Sequence, residues 1–349
     1  MALGDLPPCP FIAGPMIMDP RLFVGRRGEL ARLTAMAQQP VSANVVGERR
    51  IGKSSLLYHF FQTWEQRVRQ PDRYCVVYLN LQDAHCDQEH RFYQAVLQAL
   101  RQRLQRRPTL GQLPQSADRS GFSEAMGQCR QANVLPVLCL DEFESLFEQT
   151  QEFGDRFFDN LRALMNSNQV MLILASRQSL DVYKKRHRLT SDFFNLGQII
   201  RLGELEPEEV NDLVRLPAST VSNLPPALGA LEQSTAKKWG EQHPCKLQHA
   251  ANFLWQAGQQ GYDKKWAWKH YKYEIRRLPK RRQRPNPQRP NPLRALKNLG
   301  RLARNIGDSL DDFGNLMTGA VIVVVVLLGI LGVFQRQDLK QFLDKILGG

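Results

Sequence analysis

A glycine-rich stretch at residues 47–55, GERRIGKSS, restricts the possible folds of this 349-residue chain more than any other feature. A short strand-like segment at residues 44–46, NVV, precedes it, and residues 54–64 after it have helical spacing. A chain that leaves a strand, curls through glycines and enters a helix directs its main-chain N–H groups at one point, where the helix N-terminus adds positive potential. Such a loop can bind phosphate, and the order strand, loop, helix is typical of α/β folds.

The spacing of this stretch fits the pattern Gly-x-x-x-x-Gly-Lys-Ser/Thr of a nucleotide-binding P-loop. In that pattern the lysine, here Lys53, reaches the β- and γ-phosphates, and the hydroxyl of Ser54 ligates Mg²⁺. A chance match is the alternative, but the strand before the loop and the helix after it argue against chance. We therefore expect ATP and Mg²⁺ as ligands, with nucleotide-binding residues Gly47, Glu48, Arg49, Arg50, Ile51, Gly52, Lys53, Ser54 and Ser55.

An acidic pair, Asp141 and Glu142, ends a second buried apolar run at residues 134–140. Asp141 would hold the Mg²⁺ directly or through water, which makes Ser54 and Asp141 the predicted metal ligands. Glu142 would polarise the attacking water as general base. A solvated strand end is the competing interpretation of such a pair, and its position downstream of a P-loop favours the catalytic one.

Arg177 follows a third apolar run, residues 170–175. In a parallel sheet the carboxyl ends of the strands face the ligand crevice, so a cation there could contact the γ-phosphate. Taken alone, an arginine after a strand is more often a surface charge, and only the neighbouring motifs make a γ-phosphate sensor an equally good interpretation. The candidate catalytic residues are therefore Lys53, Glu142 and Arg177.

The rest of the chain predicts an α/β fold. Continuous apolar runs separated by helical patterns indicate a parallel sheet covered on both faces, while residues 206–275 have helical patterns without strands. Six scattered cysteines lack the spacing of a zinc site or a disulfide framework.

The predicted strands are residues 44–46, 74–81, 134–140, 170–175 and 199–202. The predicted organisation is an N-terminal arm (1–20), a P-loop ATPase domain (21–205), a helical lid (206–275), a basic juxtamembrane linker (276–312), a transmembrane helix (313–334) and a short amphipathic tail (335–349).

The transmembrane prediction depends on residues 313–334, which carry no charge. As a helix they would extend about 33 Å, enough to cross a bilayer core of about 30 Å. A buried strand or core helix is the alternative, and the length of the segment and its position outside the ATPase domain favour a span. We expect a single-pass membrane protein whose ATPase domain faces the cytoplasm, because basic residues beside a span stay on that side.

The basic residues are concentrated just before this segment. Residues 264–304 contain fifteen Lys or Arg and one acidic residue, whereas the whole chain has a net charge of +13. Such a cluster beside a span would attract anionic lipid headgroups. Nucleic acid is the rival partner because its phosphates need the same charge, and the aromatic residues Trp266, Trp268, Tyr271 and Tyr273 could stack on bases. Packing within the lid or at the membrane interface is a plainer role for these rings.

Together these motifs resemble the AAA+/STAND ATPases, especially their bacterial and archaeal AAA-like group. Residues 10–30 resemble the N-terminal element that lies against the adenine in that group. The segments GERRIGKSSLL, LCLDEFE and MLILASR resemble its P-loop, its acidic motif and its sensor strand. Residues 191–210 resemble the passage into the lid. Residues 243–248 resemble the lid motif Gly-x-Pro, whose proline approaches the base.

The resemblance implies that Val24, Gly25, Arg26 and Pro244 contact the nucleotide. It also implies a sensor strand between the two strands that carry the P-loop and the acidic pair, and a helical lid that closes over ATP and opens after hydrolysis. The sequence departs from the family at His243, which replaces a small residue, and it lacks a winged helix and a repeat array after the lid.

The leading hypothesis is therefore a membrane-anchored switch that converts ATP and water to ADP and phosphate and changes conformation or assembly, with a homo-oligomer in the ATP state and an unknown protein partner. One alternative is a slow or non-hydrolysing, nucleotide-gated scaffold whose oligomerisation clusters transmembrane helices. A second alternative is a DNA-associated ATPase.

Overall fold

The computed structural model describes residues 9–83, 86–105, 113–195, 197–218 and 225–278, all within one compact unit, Met1–Pro279. Within these ranges no helix is both long enough and apolar enough to span a bilayer. The predicted transmembrane helix (313–334), the tail (335–349) and all but the first residues of the basic linker lie outside the described residues.

Five parallel strands form one sheet in the order β2-β3-β4-β1-β5. This confirms the predicted parallel sheet, and it places β4 between β1 and β3, as the family resemblance implied. The strands are β1 (Ala43–Val46), β2 (Tyr74–Asn80), β3 (Leu135–Asp141), β4 (Met171–Ser176) and β5 (Gln198–Arg201).

Within the described part of the chain, six α-helices lie before or between these strands in the sequence, and four more follow β5. The first six are α1 (Arg27–Gln38), α2 (Lys53–Thr63), α3 (Glu89–Leu104), α4 (Arg119–Gln131), α5 (Asp155–Asn166) and α6 (Leu180–His187). The last four, which we call the four-helix cluster, are α7 (Pro207–Val214), α8 (Ala230–Gly240), α9 (Pro244–Gln260) and α10 (Lys264–Arg277).

Both faces of the sheet are buried, which explains the continuous apolar runs. Along β3, Leu138 and Leu140 belong to a core shared with α3, α4 and α5, whereas Val137 and Cys139 belong to a core shared with α1 and α2. Side chains of a strand alternate between its faces, so a strand with two buried faces must be apolar at every position.

Two helices differ from the sequence-based expectation. The apolar spacing predicts a helix over residues 94–106, whereas α3 begins at Glu89, because its first three residues are polar and extend the helix before the apolar pattern starts. The basic run at residues 184–188 predicts a solvated loop, with an arginine finger for a neighbouring subunit as the alternative, but residues 184–187 belong to α6. That eight-residue helix buries only Leu180 and Tyr183, which is too few apolar positions for a helical period to be recognised.

The four-helix cluster has its own core, and the N-terminal arm contributes to it. Phe11 of the arm is 1% exposed within this core, and its carbonyl accepts a hydrogen bond from Asn252 Nδ2 on α9 at 2.9 Å. Tyr271 is buried there too, and the Trp266 ring stacks on that of Tyr262 with centroids 4.6 Å apart. Packing therefore accounts for these two of the four aromatic residues proposed for base stacking, whereas Trp268 and Tyr273 are exposed.

Candidate nucleotide-binding site

A cavity of about 270 Å³ lies beside the glycine-rich loop, bounded on its other sides by the arm and the four-helix cluster. Most of the predicted site residues line it: Val24, Arg26, Arg49, Arg50, Ile51, Gly52, Lys53, Ser54, Ser55, Glu142 and Pro244. Among the described residues that line the cavity, five of the predicted site residues are missing. These five lie behind or next to lining residues and are Gly25, Gly47, Glu48, Asp141 and Arg177. The other lining residues are mostly apolar: Ile12, Gly14, Pro15, Met16, Ile17, Phe23, Leu205, Leu213, Cys245 and Gln248.

The two glycines of the loop are required for different reasons. Gly52 has φ +99°, a left-handed conformation that side chains disfavour, and it immediately precedes α2. A Cβ at Gly47 would lie 2.7 Å from Cγ2 of Ile51, so that position lacks room for a side chain. The loop therefore turns tightly into the N-terminus of α2, where free N–H groups face the cavity.

Lys53 is buried at the start of α2, and its Nζ donates to the carbonyls of Gly47 and Glu48 at 3.0 and 3.1 Å. Burial lowers the pKa of its amine, and the nearby carboxylates of Glu144 and Glu142 oppose this effect. The ammonium group is thus held by neutral carbonyls at the cavity wall, and an entering phosphate would be a stronger partner for it.

Asp141 lies behind the loop at the end of β3, and three groups donate hydrogen bonds to it. Its carboxylate accepts from the Tyr78 hydroxyl at 2.9 Å, from the main-chain N–H of Glu142 at 3.0 Å, and from the Ser54 hydroxyl. Burial raises the pKa of Asp141, and these hydrogen bonds act in the opposite direction. The structure thus brings Ser54 and Asp141, the two predicted metal ligands, into contact. It adds Tyr78, which no motif identified.

Glu142 and Arg177 meet at the neighbouring strand ends. Arg177 Nη2 lies 3.4 Å from Glu142 Oε2, and its Nε lies 2.8 Å from Glu144 Oε1. Glu144 is 8% exposed, and among the described residues neither of its carboxylate oxygens accepts a hydrogen bond. Burial raises the pKa of Glu144, while Arg177 acts in the opposite direction. Sequence reasoning missed Glu144, although its place in the segment DEFE, two residues after Glu142, was the available signal.

Arg26 is buried and links the loop to the chain that follows β5. Its Nη2 donates to the carbonyls of Ile51 and Gly203 at 3.0 and 2.7 Å. Its main-chain N–H donates to Glu209 on α7. Gly25 packs against the same glutamate, because a Cβ at Gly25 would lie 2.8 Å from Glu209 Cδ. Gly25 and Arg26 therefore connect the P-loop to α7 and to the segment after β5. This structural role does not depend on a contact between Arg26 and a ligand.

The arm and α9 each contact the loop directly. The N–H of Ile17 donates to Ser55 Oγ at 3.1 Å, and Arg50 Nη1 donates to the carbonyl of Gly14 at 2.8 Å. On α9, His243 Nε2 lies 3.5 Å from a carboxylate oxygen of Glu48. The histidine that departs from the family pattern thus joins the start of α9 to the P-loop.

The residues present fit a magnesium-bound triphosphate. Mg²⁺ is usually held by one or two protein oxygens together with phosphates and waters, and Ser54 and Asp141 offer such oxygens beside the loop. Among the described residues no group of three or more His, Cys, Asp or Glu side chains could hold a metal ion. The apolar remainder of the cavity suits a nucleotide base.

The fold is similar to those of known ATP- and ADP-associated proteins. The Walker-type ATPase PABY2304 of Pyrococcus abyssi is 15% identical with a TM-score of 0.55, over 85% of this chain and 81% of that chain. The ORC2 protein of Aeropyrum pernix in its ADP form is 14% identical with a TM-score of 0.53, over 77% and 74%. Such low identities show a shared fold alone. No curated protein matches the chain.

The family comparison is more specific than the fold comparison, because it matches the amino-acid sequence itself. The model of the family "Novel STAND NTPase 1" matches residues 17–274, a span that contains the P-loop, the acidic pair, Arg177 and nearly all of the four-helix cluster. The match covers well over half of the chain and agrees with the loop geometry and the strand order described above. The protein is therefore a P-loop NTPase with an AAA+-like fold and belongs to the novel STAND NTPase 1 family.

Proposed function

We propose that this protein binds Mg·ATP in the cavity and hydrolyses it to ADP and phosphate, and that the nucleotide state changes the position of the arm and the four-helix cluster. One observation carries the proposal. P-loop residues 49–55, including Ser54, line one cavity together with Glu142, and Asp141 lies directly behind Ser54.

Each proposed role uses a contact seen in the structure. Lys53 would exchange its two carbonyl partners for the β- and γ-phosphates. Ser54 and Asp141 would hold Mg²⁺, which neutralises the charge that develops on the phosphates. Glu142, exposed to the cavity, would take a proton from the attacking water. Arg177 would leave the carboxylate of Glu142 for the γ-phosphate, so that ATP itself frees the general base.

The proposed switch depends on contacts between the P-loop and its neighbours. Ser55 accepts from the arm at Ile17, and Glu48 faces His243 at the start of α9. Because the Glu48 carbonyl also accepts from Lys53, a triphosphate that draws Lys53 away alters the same residue that contacts α9. Nucleotide binding would thereby bias a two-state arrangement of the cluster.

The second candidate function is a nucleotide-gated scaffold with slow or no turnover, and the Arg177 contacts favour it. Arg177 Nη2 lies 3.4 Å from Glu142 Oε2, and this contact would have to be released before each turnover. Under either proposal, residues 313–334 would anchor the protein in a membrane with its NTPase domain in the cytoplasm, and the ATP state would be a homo-oligomer. The charge-free composition of that segment and the basic residues before it support the anchor.

Substitution of the general base separates the two candidates. For an enzyme, Glu142→Gln should retain ATP binding and lose at least about 100-fold in phosphate release, because general bases contribute about 10²–10⁴-fold. Exposed Glu65 provides the control, Glu65→Gln, which should release phosphate at the wild-type rate. Equal rates in wild type and Glu142→Gln would contradict the enzymatic proposal. Slow turnover in both, together with ATP-dependent oligomers of the detergent-solubilised chain, would support the scaffold.

A further inference from the structure

Gln248, in the second turn of α9, is a buried polar side chain whose carbonyl oxygen lacks a partner. It is 4% exposed, and among the described residues no group donates a hydrogen bond to its Oε1. Buried side-chain amides are nearly always hydrogen-bonded, because burying an amide group without a partner is unfavourable. A fold that retains such an oxygen at this position therefore calls for a partner that the described part of the chain does not supply.

The position of Gln248 indicates where that partner lies. Pro244, Cys245 and Gln248 all line the nucleotide cavity, and their spacing places them on one face of α9. Much of the surrounding wall is apolar, including Phe23, Val24, Ile17, Leu205 and Leu213. Gln248 is thus an uncharged amide among the surfaces against which a flat base would pack.

We infer that Gln248 recognises the edge of the base and selects adenine. This inference rests on the proposed function, since it assigns the base of the nucleotide whose phosphates occupy the P-loop. A glutamine amide carries one acceptor and one double donor. The adenine edge at N7 and N6 presents an acceptor beside a donor, which an amide matches with two hydrogen bonds. Guanine presents two acceptors, N7 and O6, on that edge, so one of the two pairings is lost.

A structural role for Gln248 leads to opposite expectations. If the amide stabilised α9 or the cluster core, Gln248→Leu would destabilise the nucleotide-free protein. If the amide serves only a ligand, leucine fills the same space without an unpaired polar group, and the nucleotide-free protein melts at the same temperature or higher. The sign of this change therefore separates the two roles before any ligand is added.

The test compares three ligands, Mg·ATP, Mg·GTP and Mg·tripolyphosphate, on the full chain, its Gln248→Leu variant and the control Gln259→Leu. Gln259 is an exposed glutamine of the same helix. We expect Gln248→Leu to bind ATP about tenfold more weakly, as for the loss of hydrogen bonds to a buried base. Its preference for ATP over GTP should fall by a similar factor, and its affinity for tripolyphosphate should not change. The control should match wild type for all three.

Three results would overturn the inference: unchanged ATP affinity in Gln248→Leu, an equal loss for tripolyphosphate, or a lower melting temperature of the nucleotide-free variant. If wild type binds Mg·tripolyphosphate as tightly as Mg·ATP, the base adds no affinity. The inference about Gln248 then fails, but the phosphate site remains. If wild type binds none of the three ligands, the proposed function fails as well.

Discussion

The two walls of the cavity are built from different interactions. The phosphate-side wall, which comprises residues 47–55 with Asp141, Glu142, Glu144 and Arg177, contains buried or half-buried charges held by one another and by main-chain groups. The base-side wall, formed by the arm, Leu205, Leu213 and the face of α9, is mainly apolar. Its contact with the sheet domain includes the hydrogen bond from Ile17 to Ser55. Charged contacts in a poorly solvated site resist rearrangement, whereas apolar contacts and single neutral hydrogen bonds permit it. Under the proposed function, the base-side wall would therefore be the part that moves, and its charged links to the loop region at Arg26–Glu209 and His243–Glu48 would have to rearrange.

The largest stability effect should come from the phosphate-side wall. Arg177→Met removes the cation beside Glu144 and leaves a buried carboxylate without a partner, which should cost about 2 kcal/mol of unfolding free energy. Loss of one partner from a fully buried ion pair costs more, about 3–5 kcal/mol, but Arg177 is 42% exposed. The measurement is chemical denaturation of the nucleotide-free chain.

A double variant provides the control for this prediction. Glu144→Leu combined with Arg177→Met removes both charges, so most of the lost stability should return. If the double variant loses as much unfolding free energy as the two single variants lose together, the two charges do not stabilise each other. The phosphate-side wall would then resemble the base-side wall in its energetics.

A smaller effect is expected where α2 packs against the cavity lining. His59 of α2 stacks on Phe23, a lining residue, with ring centroids 4.1 Å apart. Burial lowers the pKa of His59 to about 4 from its ordinary value of 6.5. The folded state therefore favours the neutral ring, and its stability should fall as the pH drops from about 6.5 towards 4, where the unfolded chain binds the proton first.

Melting temperatures across that pH range, measured for wild type and His59→Leu, test this prediction. The variant should lose less stability on acidification, because leucine binds no proton. Substitution of the exposed His90 by leucine should leave the wild-type profile unchanged. If wild type and His59→Leu have parallel profiles, protonation of His59 does not weaken the contact between α2 and Phe23.

The two walls also differ in how far they could be predicted from sequence. The P-loop is contiguous, and Asp141, Glu142 and Arg177 each follow an apolar run that is long enough to be recognised as a strand. Parallel strands bring their carboxyl ends to one edge, so these residues had to meet once the sheet was predicted. The strand order required the family resemblance, because apolar runs alone do not determine which strands are neighbours.

The base-side wall could not be predicted in the same way, because its residues come from segments far apart in the chain. Nothing local shows that Phe11 packs into the four-helix cluster or that Ile17 donates to Ser55. Pro244 was placed at the site by resemblance. Gln248, one turn later, was not, because a lone glutamine in a helix has no signature. Its buried oxygen, which has no partner among the described residues, becomes visible only in three dimensions.

The most direct test of the account is a titration of the full chain and its Lys53→Ala variant with Mg·ATP, followed by calorimetry. The wild-type chain should bind about one nucleotide saturably, and Lys53→Ala should show no saturable binding, because the loop then lacks the ammonium that pairs with the β- and γ-phosphates. An exposed lysine substituted in the same way, Lys238→Ala, should bind like wild type. Well-folded wild-type protein without saturable binding, or equal affinity in Lys53→Ala, would contradict the central claim that this P-loop holds a triphosphate.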